Sequence, residues 1–192
     1  MADVPATALP DSPSEWITRW SHLLDTDATV LDVACGSGRH ARWFAQRGHH
    51  VVAIDRTSFN LRLSPARVTF IQSDLERDAW PFNDKPDFAG FQAVVVTNYL
   101  WRPLFPSLLS SLAPGGVLLY ETFAIGNATV GRPSRPEFLL QRGELLAQCA
   151  DLQIVAYEDG FADKPARFIQ RIAAVKPDTC QECSAMPKRF AL

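Results

Sequence analysis

An α/β protein with a doubly wound, mostly parallel sheet is what this sequence predicts, on three observations. Short β-branched apolar runs alternate with segments of helical periodicity. Those runs end in acids or glycines, and 192 residues with 47% hydrophobic and 21% charged side chains suit one domain. Alternation of this kind implies crossovers, because parallel strands cannot be joined by tight turns. A chain of this length buries roughly 70% of the surface that its unfolded form exposes, so the core needs neither disulfides nor a metal.

After a proline-rich lead, Ser12-Pro13-Ser14-Glu15 has the form of a capping box with proline at the first helical position. Trp16, Ile17, Trp20, Leu23 and Leu24 then recur on one face, which makes a short docking helix. Residues 29–33 read as a buried strand running into Gly36-Ser37-Gly38. A helix over 39–47 follows, with Trp43 and Phe44 inward and Gly48 as its stop. Residues 51–55 and 68–71 are the next strands, and between them the helical signal around 59–63 is weak. Residues 91–96 form a fourth strand and 104–112 a helix; the turn Ala113-Pro114-Gly115-Gly116 leads to a fifth strand, 117–120. The stretch 123–138, rich in Gly, Pro and Arg, is too long for a connector and of the kind that covers sites. A helix over 142–149 precedes two strand-like segments, 152–157 and 167–175, spaced for a hairpin. The polar tail from Lys176, with Pro177 and Pro187, reads as loosely held.

With 19 basic and 21 acidic side chains the formal charge is -2, which gives no overall pull toward nucleic acid or an anionic membrane. Cys35, Cys149, Cys180 and Cys183 are too few and too unevenly placed for a secreted disulfide framework. The start, with Asp3, Pro5, Pro10 and Asp11, lacks the basic and apolar runs of a signal peptide, and no stretch is apolar enough to span a membrane. A cytoplasmic protein is the expectation. Cys180-x-x-Cys183 is half a zinc site with no histidine near it, so no metal is expected.

In a doubly wound sheet, ligands sit at the carboxyl ends of the strands where strand order reverses. That rule selects residues 32–38, Asp55, Asp74, 97–102 and 121–123. Gly36, Gly38 and Ala41 satisfy G-x-G-x-x-G/A, and Asp55 falls 19 residues past Gly36, where a ribose-binding acid of an NAD site belongs. Against that reading stands Asp32, an acid inside an apolar strand, which would repel a pyrophosphate and attract an ammonium or sulfonium. Asp32, Asp55 and Asp74, with no phosphate-binding lysine, suit a ligand carrying ribose, amine and base but little negative charge.

The run V-L-D-V-A-C-G-S-G-R, the acid of V-V-A-I-D-R, the D-L of F-I-Q-S-D-L and the segment L-A-P-G-G-V-L-L-Y-E-T-F resemble the class I S-adenosylmethionine-dependent methyltransferases over residues 28 to about 175. Y-E-T-F followed by G-R-P and F-L-L-Q-R-G-E-L-L is similar to small bacterial members grouped with tellurite-resistance methyltransferases. The resemblance implies a Rossmann-like seven-stranded sheet with an antiparallel last strand, within a methyltransferase domain over 28–176 flanked by the lead and docking helix, 1–27, and the tail, 177–192. It implies S-adenosylmethionine as cofactor: Asp32, Gly36 and Gly38 beside the methionine part, Asp55 at the ribose hydroxyls and Asp74 with Leu75 at the adenine, with Ala34, Arg56 and Thr97 also among the cofactor-binding residues.

The methyl acceptor then approaches residues 97–102, where Asn98 resembles the first residue of the Asn-Pro-Pro-Tyr signature of amine methyltransferases without its prolines. Asn98, Tyr99 and Glu121 are the candidate catalytic residues, the last two by placement for taking a proton. Arg39 and His40 are placed to meet the ligand carboxylate, and Arg132 and Arg135 to gate the site or bind an anionic acceptor; solvated cations are the plainer reading of these arginines. A small-molecule acceptor is expected, with no nucleic acid or membrane partner, on a monomer or weak homodimer. The competing readings are a cofactor-binding module without turnover and an NAD(P)-dependent reductase; for the latter the chain lacks a Tyr-x-x-x-Lys or a histidine-based proton donor.

Overall fold

In the computed structural model the strands β1 (Thr29–Val33), β2 (His50–Asp55), β3 (Val68–Gln72), β4 (Phe91–Thr97), β5 (Leu112–Phe123), β6 (Gln153–Asp163) and β7 (Ala166–Val175) form one seven-stranded sheet. The structure describes residues 12–58, 66–83, 88–178 and 190–191. Strand order is β3-β2-β1-β4-β5-β7-β6; β1 to β5 are parallel, and β7 runs against both of its neighbours. This is the doubly wound, mostly parallel sheet with an antiparallel last strand that the sequence predicts.

The central strands are continuously apolar because both of their faces are covered. On one face Val30, Ala53, Val95, Leu119 and Ala173 pack with Trp16, Ile17 and Trp20 of α1 (Glu15–Trp20) and Phe44 of α2 (Arg39–Gln46). On the other, Leu31, Val33, Val94, Leu118 and Ile172 pack with Phe105 and Leu108 of α3 (Phe105–Ser110) and Leu145 of α4 (Glu144–Gln148). Alternate residues of one strand thus feed two separate cores, which follows from the period of two. Among the described residues no helix is long and apolar enough to cross a membrane.

Four local expectations shift. The cap of α1 is Ser14 rather than Ser12: its hydroxyl accepts the Trp16 N–H at 3.2 Å, while the Ser12 carbonyl accepts from Arg39 at 3.1 Å. The start is set by docking, since the Trp16 indole donates to the Ile172 carbonyl at 3.2 Å. The helix expected over 104–112 is a 3-10 turn, Arg102–Leu104, followed by α3, which stops at Ser110 because Leu112 already pairs with Phe91. The Pro-Gly-Gly turn therefore lies within β5, and a Cβ on Gly90 would stand 2.5 Å from the Ala113 nitrogen, so only glycine allows this close approach. The helix expected over 142–149 is the shorter α4, capped by Gly143 at φ 70. The hairpin strands run longer than expected, to Asp163 and from Ala166.

The segment 59–63 and the Cys180-x-x-Cys183 motif lie outside the described residues. Cys35 and Cys149 are buried free thiols. Phe190, in the tail expected to be loose, packs against the α1–α2 core.

Candidate functional site

β1 pairs with β2 on one side and β4 on the other, so the crossovers diverge and leave a crevice at the carboxyl ends of β1 and β4. A cavity of about 770 Å³ opens there, and Ala34, Gly36, Asp55, Arg56, Asp74, Leu75, Thr97, Asn98 and Tyr99 all line it. The loop after β1 turns by placing Ala34 at φ 52 and Gly36 at φ 55, the left-handed region that a Cβ disfavours. The Gly36 N–H donates to Asp55 Oδ2 at 2.9 Å, and Asp55 Oδ1 accepts the Thr57 N–H at 2.8 Å. The ends of β1 and β2 are thereby locked together, with the Asp55 carboxylate held at the cavity wall.

Asp74 caps its own turn, its Oδ1 accepting the Glu76 N–H at 3.1 Å, and Glu76 also lines the cavity. Asn98 sits at φ 55 with its Oδ1 buried, and among the described residues neither that oxygen nor the buried Tyr99 hydroxyl has a hydrogen-bond partner. Burial, with the charges of Glu76 and Asp74, pushes the Tyr99 phenol well above its ordinary range. It stays protonated at neutral pH and is built to donate, not to act as a base.

Two expected cofactor residues are absent from this wall. Asp32 is buried behind the loop, where its Oδ2 accepts the Ala41 N–H of α2 at 2.9 Å; burial pushes its carboxyl up to about 7, against the pull of that hydrogen bond and of Arg39. Its alternation along β1 turns it toward the helix rather than the ligand space. Gly38, at φ 72, is the cap of α2. The acids that do face the cavity are Asp55, Asp74 and Glu76, so local acidity is present but is carried by Glu76 in place of Asp32. His40 is also withdrawn: its Nε2 accepts the Ser14 N–H at 3.1 Å, and burial, aided by the Arg39 charge, pushes its imidazole down to about 3.

A second cavity of about 710 Å³ shares Arg39 and Asn98 with the first. Its walls come from residues 12–15, the long loop and the β6–β7 turn, with Glu121 at its base. Glu121 is buried; its Oε1 accepts the Ser14 hydroxyl at 3.0 Å and Arg167 at 3.3 Å, and its Oε2 lies 3.4 Å from Arg171 Nε. Sequence reasoning missed Arg167 and Arg171. The available signal was a glutamate inside the apolar run L-L-Y-E-T-F, which a strand can bury only beside a cation.

The long loop is held by Arg102, which forks onto Glu144 (2.7 and 2.9 Å) and donates to the carbonyls of Glu137 (2.9 Å) and Leu139 (3.0 Å). Burial alone would raise the Glu144 carboxyl, but Arg102 and the Gln141 N–H outweigh it and hold it below its ordinary value. Arg102→Ala is expected to cost about 1–2 kcal/mol, allowing for solvent at the part-exposed guanidinium. Limited proteolysis should show faster cleavage within residues 131–137, with Arg102→Lys between the two because it lacks the planar fork. Arg135 pairs with Glu137 and sits 5.3 Å over Phe138, which lines the first cavity. Arg132 lines the second.

A family model described as a methyltransferase domain matches residues 7–150. The tRNA U34 carboxymethyltransferase of Klebsiella pneumoniae is 32% identical over 127 residues, covering 58% of this chain and 38% of that protein. The chain thus spans less than two fifths of the length of that relative. Among solved structures, TehB from Haemophilus influenzae superposes with a TM-score of 0.64 at 16% identity, covering 83% of this chain and 61% of that one. The Burkholderia thailandensis 1,6-didemethyltoxoflavin-N1-methyltransferase, determined with S-adenosylhomocysteine, gives 0.62 at 18%, covering 85% and 77%.

Proposed function

Because the chain belongs to the methyltransferase-domain family, we propose that it transfers the methyl group of S-adenosylmethionine to a small-molecule acceptor. The observation that carries this reading is the Asp55 carboxylate, fixed by Gly36 and Thr57 at the mouth of the switch-point cavity, where it can take a vicinal diol. The donor set fits the cofactor. Asp55, Asp74 and Glu76 offer acceptors to hydroxyl, amine and sulfonium groups, and Gly36 leaves open space in front of the backbone. In our reading Asp55 and Arg56 hold the ribose and Asp74 and Leu75 the adenine, while Ala34 and Gly36 flank the methionine part and Thr97 closes the wall. A dianionic pyrophosphate would meet three carboxylates here, which disfavours the NAD(P) reading.

Bound there, S-adenosylmethionine supplies a methyl group already activated on a sulfonium sulfur. The work left to the protein is positioning and exclusion of water. Asn98 lines both cavities, and its Oδ1, unpartnered among the described residues, is placed to accept a hydrogen bond from an incoming N–H or O–H. Tyr99 contributes a donor at the wall. Glu121 acts by holding Arg167 and Arg171 rather than by touching the methyl group. The adjoining second cavity favours turnover over a module that only binds cofactor. Its size, within the roughly 300–1,000 Å³ typical of metabolite pockets, and the charge of -2 support a small acceptor over RNA.

The test is a thermal-shift comparison of S-adenosylmethionine, S-adenosylhomocysteine and NADH. At a hundredfold excess over Kd, the first two should each add about 2.7 kcal/mol, a rise of roughly 5–11 °C at this size, and NADH none. A shift with NADH alone would sink the proposal.

A further inference from the structure

Building on the methyl-transfer reading, we propose that the acceptor is a small organic acid whose carboxylate docks on Arg167 in the second cavity. The two adjoining cavities are oppositely polarised. The first carries Asp55, Asp74 and Glu76 against Arg39 and Arg56, an acidic excess among the described residues. Among the described residues the second is lined by five cations, Arg39, Arg132, Lys164, Arg167 and Arg171, against Glu15 and Glu121.

Within that set the two β7 arginines differ. Arg171 Nε is shared between Glu121 and Glu158, each at 3.4 Å, and its guanidinium lies 5.7 Å from the Trp16 ring, so it is committed to the docking of α1. Arg167 reaches Glu121 through a single long hydrogen bond of 3.3 Å and pairs with no second carboxylate among the described residues; its buried Nε, like that of Arg171, makes no hydrogen bond among them. The Arg167 side chain is 19% exposed and lines the cavity, so a planar carboxylate can meet the part of its fork that Glu121 leaves open. Arg132 from the long loop and Lys164 from the hairpin turn stand around the same cavity and add to its positive potential.

The remaining wall specifies an organic body. Phe123, Val130 and Pro165 supply apolar surface, and about 710 Å³ is far more than an inorganic oxyanion fills. The ligand therefore carries an anionic head at Arg167 and an apolar body along the loop. Asn98, at the boundary with the cofactor cavity, receives its other end.

Binding to the protein saturated with S-adenosylhomocysteine tests this by calorimetry. The probes are a panel of short aliphatic and aromatic carboxylates, their primary amides, the corresponding amines, and inorganic phosphate and sulfate. At least one carboxylate should bind with a submillimolar Kd, its amide and amine at least tenfold more weakly, and the inorganic oxyanions no better than the amide. Arg167→Met should weaken the bound acid at least tenfold and Arg167→Lys less, both with S-adenosylhomocysteine affinity unchanged, which also certifies their fold. The proposal falls if no acid binds, if amides or amines bind equally well, if inorganic oxyanions match the best acid, or if Arg167→Met leaves the acid's affinity intact. Failure of S-adenosylhomocysteine itself to bind would overturn the methyl-transfer reading instead.

Discussion

Asp55→Ala is expected to weaken S-adenosylhomocysteine binding at least a hundredfold and to abolish most of the thermal shift it produces. A carboxylate that accepts both hydroxyls of a ribose makes two charge-assisted hydrogen bonds of about 1.5–3 kcal/mol each, and losing the pair exceeds the 2.7 kcal/mol that a factor of one hundred requires. The residue already holds the Gly36 and Thr57 N–H groups at 2.9 and 2.8 Å. Both of those residues are exposed, so water replaces the lost acceptor and the fold survives. Asp55→Asn keeps one acceptor oxygen without the charge and should fall between wild type and alanine. Unchanged affinity in Asp55→Ala by calorimetry would show that the ribose is held elsewhere.

The second large effect is on pH dependence. The Asp32 carboxyl stands at about 7 in the fold against an ordinary 3.8. Between those values the folded chain holds a proton that the unfolded chain has released, so this group lowers stability as pH rises, by about 4 kcal/mol in total above pH 7. His40, one residue before the Ala41 N–H that Asp32 accepts, works the other way. Its imidazole stands at about 3 in the fold against 6.5, so the unfolded chain binds a proton that the fold refuses, and stability falls as pH drops from 6.5. Over roughly pH 4–6.5 these two slopes oppose each other in the wild type.

Asp32→Asn retains an acceptor for the Ala41 N–H but removes one slope. Its stability relative to wild type should therefore climb by about 3 kcal/mol between pH 4 and 6.5, leaving the His40 dependence exposed. Denaturant unfolding at pH 4.5, 5.5, 6.5 and 7.5 measures this directly. Parallel wild-type and variant curves would show that Asp32 is ionised throughout and that the α2 cap is a charged one.

The same residue shows where local pattern stops being informative. Asp32 was legible as an acid in a buried strand that needs a partner, and Asp55 as an acid correctly spaced from Gly36; from sequence both read as ligand-facing. β1 alternates, and the side on which Asp32 falls is covered by α2, so the partner it meets in the fold is the Ala41 N–H. Glu76, which does face the cavity, sits in a turn whose direction no periodicity reports. The capping serine of α1 moved for a similar reason, since a helix only six residues long begins where Trp16 meets β7.

Strand identity, the crossover pattern, the glycine loop and the acid after β2 follow from short-range rules: apolar runs, period, and residues that tolerate left-handed backbone. These set the fold class and the position of one cavity. The second cavity depends on residues 12–15, the long loop and the β6–β7 turn, segments far apart in sequence that meet only when β7 inserts between β5 and β6. Pairing Glu121 with Arg171 in that antiparallel register puts a buried carboxylate among arginines. The first cavity could be read along the chain because short segments at successive strand ends build most of it; the second could not, because its charges acquire meaning only from neighbours that folding supplies.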